Sequence, residues 1–293
     1  MLLFWGLSFG LIWTLVCARE GAIVSKVSDY EITTLVNRLR SEDRNKAGSR
    51  DVRVDFQQHV NSRERQDKSP NKLFTRVSPR LLNGPTYRTL LALFDNYIPR
   101  TGIAEINTAA EDAEIDAFLR AVTETPLMES LREFLKQKGY NDARHQTAFR
   151  AHLKELWFTG YSRKRGQVDT SGFEHVFVGE WKEGVQGLHN WLRFYQLEKE
   201  GHIDYNGFIL KRGNLFTMVQ YEWDDLIKPS GSFFIGTSPE FELGLYTLCF
   251  ITRPGYSRCK FQVDGKDFVV TTFEHFYKRH RIIGSAFPSP KRR

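Results

Sequence analysis

The chain has 293 residues, of which 14% are aromatic, and a formal charge of +7 from 42 basic and 35 acidic residues. The aromatic content, with 23 Phe, excludes a disordered chain, and the length suffices to bury a substantial core as one large domain or two smaller ones. The positive balance suits a polyanionic partner, without choosing among nucleic acid, heparin-like glycans and anionic membrane.

Leu2 to Val16 is an apolar run that ends at Val16-Cys17-Ala18, before Arg19 and Glu20. This pattern predicts a secretory signal peptide over residues 1–18 and a secreted mature chain from about Arg19. A retained anchor is the alternative, although a spanning helix needs about 20 apolar residues. No later stretch comes close, so no stable membrane association is expected after cleavage. There is no Asn-x-Ser/Thr sequon.

Ser28 to Leu39 reads as a first helix, with Ser28 as cap, Glu31 three residues on, and Ile32, Leu35, Val36 and Leu39 on one face. Arg40 to Asn71 is polar and reads largely as loop. Turns and short helical pieces are expected next, then a helix in "TYRTLLALFDNYI" that stops before Pro99. Further helices are predicted over Glu111–Ala121, from Pro126 to a stop at Gly139, and through "DARHQTAFRAHLKELWF". From Gly172 the pattern changes to short stretches rich in Val, Phe, Ile, Tyr and Thr. "HVFVGEW", "YNGFILK", "LFTMVQYEW", "GSFFIGTS", "LYTLCFI", "CKFQVDGKDFVVTTF" and "RIIGSAFP" all read as strand-like. "VDGKDFVV" carries an Asp-Gly hairpin turn. Two helices interrupt these strands, one from Leu188 to Glu198 and one opened by Ser238-Pro239. The expected fold is α+β: a mainly helical part over residues 24–165, followed by a mainly antiparallel β part over 166–290.

Cys17 leaves with the leader, so Cys249 and Cys259 remain. A hairpin folded at Pro254-Gly255 would set them opposite one another, within reach of a disulfide. An exported compartment permits the bond. Two reduced thiols in adjacent strands are the alternative.

The chemistry concentrates in "SGFEHVFVGEWKEGVQGLHNW". His175 begins a strand-like run there, and His189 lies near a helix start. Gly179, Gly184 and Gly187 between them allow the chain to fold back, so that both imidazoles face one pocket. Such a pair suits general acid–base work, because histidine titrates near neutrality. Packing or surface placement is the alternative reading. Lys228, in "LIKPSGSFFIG", is the candidate to stabilise charge on a phosphoryl group. By itself a lysine before proline is more often an exposed loop residue. "FEHFYKRHR", with His275 and His280, is a basic aromatic patch suited to RNA phosphates.

"SGFEHVFVGE", "GLHNW", "YNGFI" and "FFIGTSPEFELGLYTLCF" resemble the signature segments of the EndoU family. These are poly(U)-preferring endoribonucleases related to placental protein 11 and to the uridylate-specific endoribonuclease of nidoviruses. The likeness covers residues 24–290, and the viral relationship is confined to the catalytic half. It implies cleavage of single-stranded, uridine-containing RNA 3′ to uridines by attack of the ribose 2′-OH. The products carry a 2′,3′-cyclic phosphate and a 5′-OH, so the step is formally that of a phosphorus–oxygen lyase. By motif position His189 resembles the family's general base, His175 its general acid and Lys228 its charge-stabilising lysine. Glu174 and Glu180 match acidic residues near the family site; strand-edge surface carboxylates are their alternative. Ser232 resembles the uracil-contacting serine. Where the family often reads Ala-Tyr-Pro, this chain has Phe287, which keeps a ring to stack on a base and loses the phenolic hydroxyl.

Many relatives are stimulated by manganese and some by calcium, so Mn(2+) or Ca(2+) is expected as an activator, with no organic cofactor. No tight ligand motif is visible in the sequence, and no metal ligand is assigned. A monomer is expected. Two other readings compete with this one: a non-catalytic RNA or polyanion binder on the same fold, and a metal-dependent hydrolase of another substrate.

Overall fold

The computed structural model describes residues 26–105, 108–162, 166–255 and 258–290. The expected signal peptide over 1–18 lies outside the described residues.

The first helix, α1 (Asp29–Glu42), starts as its sequence predicts. Ser28 accepts from the Glu31 N–H, the Glu31 carboxylate accepts from the Ser28 N–H, and Ile32, Leu35, Val36 and Leu39 are buried. The polar stretch after it is not only loop. β1 (Val52–Val54) pairs antiparallel with β2 (Phe74–Val77). Two helices then open on proline, α2 (Pro79–Leu82) and α3 (Pro85–Ala92), and a 3-10 turn over Leu93–Asp95 ends the segment before Pro99. α4 (Ala109–Thr123) is capped by Thr108 and Glu111, α5 (Pro126–Gln137) starts on Pro126, and α6 (Gln146–Phe158) completes the helical part.

The change of pattern at Gly172 is real, but its first segment is not a strand. Glu174–Val178 is a π-helical turn whose widened ladder closes with Gly179 N–H donating to the Glu174 carbonyl at 2.8 Å. Such turns are rare and gather at functional sites. Two short strands follow, β3 (Glu180–Trp181) and β4 (Val185–Gln186), paired with each other. After α7 (Trp191–Glu200) come β5 (Ile203–Arg212), β6 (Phe216–Trp223) and β7 (Leu226–Phe234), an antiparallel sheet in the order β5-β6-β7. α8 (Pro239–Thr252) is capped by Ser238. Beyond it β8 (Cys259–Val263), β9 (Lys266–Tyr277) and β10 (His280–Pro290) form a second antiparallel sheet, ordered β10-β9-β8. The Asp264-Gly265 turn joins β8 to β9 as expected.

All fourteen residues of α8 are buried. A helix buried on every face belongs inside a protein, and this one is the axis on which both parts pack. From the helical part, the Trp157 indole N–H donates to the Thr247 hydroxyl on α8 at 2.9 Å. From the β part, Asn190 donates to Glu242 on α8 at 2.9 Å. "LYTLCFI" is therefore helix, not strand, because burial on every side outweighs the β-propensity of its residues.

Cys249 and Cys259 are bonded, with Cα atoms 5.4 Å apart. The geometry differs from the expected hairpin: Cys249 sits in the last turn of α8 and Cys259 opens β8. The bond fastens helix to strand. Among the described residues no helix is long and apolar enough to cross a membrane.

Candidate active site

Four separate stretches converge on one cleft of about 710 Å³, lined by His175, His189, Lys228, Ser232 and Phe287 among others. His175 comes from the π-helical turn, His189 from the residue before the α7 cap, Lys228 and Ser232 from β7, and Phe287 from β10. The two imidazoles stand 6.3 Å apart, centre to centre.

The backbone holds that spacing. After the π turn the chain runs out through β3 and returns through β4, and Gly187 brings it back against the turn. Leu188 N–H then donates to the His175 carbonyl at 3.0 Å, and His189 N–H to the Val176 carbonyl at 2.7 Å. Gly187 has φ +61°, and a Cβ there would lie 1.8 Å from the His175 carbonyl oxygen. Only glycine fits. Asn190 fixes the next step: its side chain accepts from the Arg193 N–H to cap α7 and donates to Glu242 of α8. Burial holds the Glu242 carboxyl up at about 8.

The two histidines have opposite partners. His175 Nδ1 lies 2.9 Å from Glu180 Oε1, which also accepts from the Thr170 hydroxyl at 2.8 Å. A carboxylate there makes Nδ1 the protonated nitrogen and gives the imidazolium form an ion-pair partner. His189 Nδ1 lies 2.9 Å from the backbone carbonyl of Ser232. A carbonyl can only accept, so Nδ1 carries the hydrogen and Nε2 is left as the basic nitrogen. Burial holds His189 well below the ordinary histidine range, and the charges of Lys228 and His175 push the same way. It is neutral at pH 7.

Lys228 is half-buried in a strand, not on an exposed loop. Its ammonium donates to the Val185 carbonyl at 3.0 Å, which ties β7 to β4. Burial lowers it to about 8, against the pull of Glu180. The Ser232 hydroxyl donates to the Pro288 carbonyl at 2.7 Å and joins the two sheets at the cleft. The Phe287 ring stacks on His189 at 5.1 Å and 27°.

Glu174 and Glu180 are both fully buried, so the surface-carboxylate alternative falls. They do different things. Glu180 holds His175. Glu174 stands beside Glu105, whose carboxyl burial pushes up to about 7.

The chain matches the family model described as Endoribonuclease XendoU over residues 31–288. The chain belongs to this family. It is 40% identical over 268 residues to a uridylate-specific endoribonuclease of Bos taurus, covering 88% of this chain and 64% of that protein. It is 36% identical over 283 residues to uridylate-specific endoribonuclease D of Xenopus laevis, covering 90% of each. The chain thus spans just under two thirds of the bovine protein and nearly all of the frog one. A solved structure, described as that of XendoU, "a splicing independent snoRNA processing endoribonuclease", superposes with a TM-score of 0.76 at 34% identity. That match covers 89% of this chain and 97% of that one.

Among the described residues no group of three or more His, Cys, Asp or Glu is arranged to hold a metal ion. Glu180 Oε1 is engaged with the His175 imidazole and the Thr170 hydroxyl. No step is routed through a metal ion.

Sequence reasoning missed Thr170, Glu105 and Val185, which reach the site only through the tertiary fold. A capping signal was available for Asn190, directly before the apolar turn of α7.

Proposed function

We propose that this protein is an endoribonuclease that cuts single-stranded RNA on the 3′ side of uridines by transesterification. The observation that carries the reading is the pairing of two histidines of opposite hydrogen-bonding state in one cleft, with a lysine ammonium beside them.

The neutral His189 takes the proton of the ribose 2′-OH on Nε2 while O2′ bonds to the adjacent phosphorus. The bond from phosphorus to O5′ of the next nucleotide breaks, and His175, charged and backed by Glu180, gives that oxygen a proton. Lys228 neutralises the charge that builds on the non-bridging oxygens. No water is consumed, so a 2′,3′-cyclic phosphate and a 5′-OH result.

Selectivity for uracil follows from Ser232. Its hydroxyl hydrogen is spent on the Pro288 carbonyl, so only its lone pairs face a base. They accept from the N3–H of uracil; cytosine has no hydrogen at N3. Phe287 supplies the stacking face. It lacks the tyrosine hydroxyl common in the family, and weaker binding or looser selectivity is the expected consequence. Manganese or calcium acts as an activator by ordering the RNA. The protein works outside the cell; the leader sequence and the Cys249–Cys259 bond support an oxidising compartment.

The test is a short RNA with one uridine, beside a copy with 2′-deoxyuridine at that position, incubated with and without manganese. Mass spectrometry of the ends should find a cyclic phosphate from the ribose substrate and nothing from the deoxy one. RNA that is bound and left intact under every ion would favour the non-catalytic binder. Cleavage of the deoxy copy that chelator abolishes would favour a metal-dependent hydrolase.

A further inference from the structure

Lys228 reaches the cleft from an irregular part of β7. On β6, Gln220 alone stands between Val219 and Tyr221. On β7, Pro229 and Ser230 both stand between Lys228, the partner of Tyr221, and Gly231, the partner of Val219. Two residues opposite one make a bulge, a device that re-aims side chains beside active sites. Pro229 suits it, since proline has no N–H for a ladder and β7 is the outer strand of its sheet.

The bulge decides which residues share a side of the sheet. In a regular strand Lys228 would share its side with Ser230 and Ser232, and Gly231 would face the other way. Here cross-strand pairing sets Lys228 beside Tyr221 and Gly231 beside Val219. Tyr221 and Val219, two apart on β6, share one side, so Gly231 and the stem of Lys228 are neighbours.

Gly231 is not there for its backbone, because its φ lies outside the left-handed region. It is there for space. A Cβ would lie 2.9 Å from Tyr221 Cε1, 3.6 Å from the Tyr221 hydroxyl oxygen and 3.7 Å from Lys228 Cγ. The Tyr221 ring has nowhere to retreat: it is fully buried, edge-on to Phe194 of α7 at 5.1 Å and 85°. Its hydroxyl makes no hydrogen bond among the described residues, so the ring is the part that serves here. Resting on the reading in which Lys228 meets the phosphoryl charge, we infer that Gly231 and Tyr221 are positioning residues for that lysine. The ring edge is a wall, and the absent side chain at 231 leaves the lane beside it in which the Lys228 stem lies on its way to the Val185 carbonyl.

A methyl group at 231 closes the lane. Carbon–carbon contacts are comfortable from about 3.5 Å, so the outer strand must yield by about 0.6 Å and carry Lys228 with it. The state of Lys228 is read without catalysis, from the pH dependence of its acylation by acetic anhydride, followed by mass spectrometry of the Lys228 peptide in the folded protein. The wild-type midpoint should lie near 8, where burial holds the ammonium. Gly231→Ala should raise that midpoint by at least about one pH unit, as the displaced ammonium regains water. It should also lower kcat/KM on a single-uridine RNA at least about tenfold. Tyr221→Leu, which withdraws the wall instead, should produce both changes, and the conservative Tyr221→Phe should restore wild-type behaviour. A loss of activity from general loosening would not move the titration of one lysine. If the midpoints move as stated while the wild type leaves RNA intact, the cleavage reading fails and the positioning stands. An unmoved midpoint in both Gly231→Ala and Tyr221→Leu overturns the positioning, and so does a Tyr221→Phe protein that behaves like Tyr221→Leu.

Discussion

Gly187→Ala should disable the site without unfolding the protein. The added Cβ would stand 1.8 Å from the His175 carbonyl oxygen, 2.8 Å from its carbon and 3.1 Å from the imidazole Cγ. Ordinary carbon–oxygen contacts begin at about 3.3 Å, so the two segments must part by about 1.5 Å. The parting falls between the acid and the residue two before the base, and a misplacement of about 1 Å at reacting groups can cost about a hundredfold. We expect kcat/KM on a single-uridine RNA to fall at least about a hundredfold. The stability cost is smaller. A side chain at φ +61° costs about 1–2 kcal/mol, and loosening the two bonds from Leu188 and His189 about 1 kcal/mol each. A loss near 3 kcal/mol lowers Tm by roughly 6–12 °C and leaves the protein folded at 25 °C. Gly184→Ala is the control, since nothing lies within 4 Å of a Cβ there. Should folded Gly187→Ala keep kcat/KM within about threefold of wild type, the idea that this contact sets the spacing of the histidines is wrong.

Glu180→Gln keeps the shape and removes the charge behind His175 Nδ1; kcat should drop at least about a hundredfold, with KM nearly unchanged, in steady-state kinetics. The alkaline limb of the kcat/KM profile should fall near pH 8, because the Lys228 ammonium is present below about 8 and lost above it. In Lys228→Arg that limb should move upward, and an unmoved limb would assign it to another group. The acid limb should lie below pH 6.5, because His189 is held well below the ordinary histidine value and stays a free base there. Ser232→Ala should reduce the preference for uridine over cytidine by about tenfold, read from paired substrates of equal length. Replacing Cys249 and Cys259 together by serine releases a loop with a sequence separation of 10. It should cost about 2.5–3 kcal/mol in denaturant melts and leave kcat/KM as it was, since neither cysteine lines the cleft.

Local signals were legible where the chain supplies both the element and its end. The Ser28 capping box, the Pro126 start, the Asp264-Gly265 turn and the Ser238-Pro239 start all stand where sequence chemistry puts them. So does the division into a helical part and a stranded one. The failures share one cause. "HVFVGEW" begins as a π-helical turn and "LYTLCFI" is helix, although both are rich in strand-forming residues. Glu174–Val178 and all of α8 are buried, so an alternation of faces never decides the matter and tertiary packing does. The same fact relocated the disulfide, because the hairpin at Pro254-Gly255 needed a strand where α8 runs.

The residues proposed to bear the chemistry could be named from motif position; their hydrogen-bond partners could not. Nothing in the spacing of His175 and His189 says which would serve as the acid. That difference comes from Glu180, five residues beyond one histidine, and from the Ser232 carbonyl, 43 residues beyond the other. One partner carries negative charge and favours an imidazolium. The other is a neutral acceptor that leaves a bare Nε2, in a pocket where burial and Lys228 oppose a proton. Two identical side chains about 6 Å apart thus meet opposite electrostatic surroundings, which is what the proposed transfer from 2′-OH to 5′-oxygen requires. The arrangement also explains why Ser232 matters twice. On the proposed reaction its carbonyl sets the tautomer of the base, and its hydroxyl, which donates to the Pro288 carbonyl, offers lone pairs to the uracil edge. A substitution that shifts the β7 backbone at this residue would therefore lose selectivity and rate together, whereas Ser232→Ala, which keeps the carbonyl, should separate them.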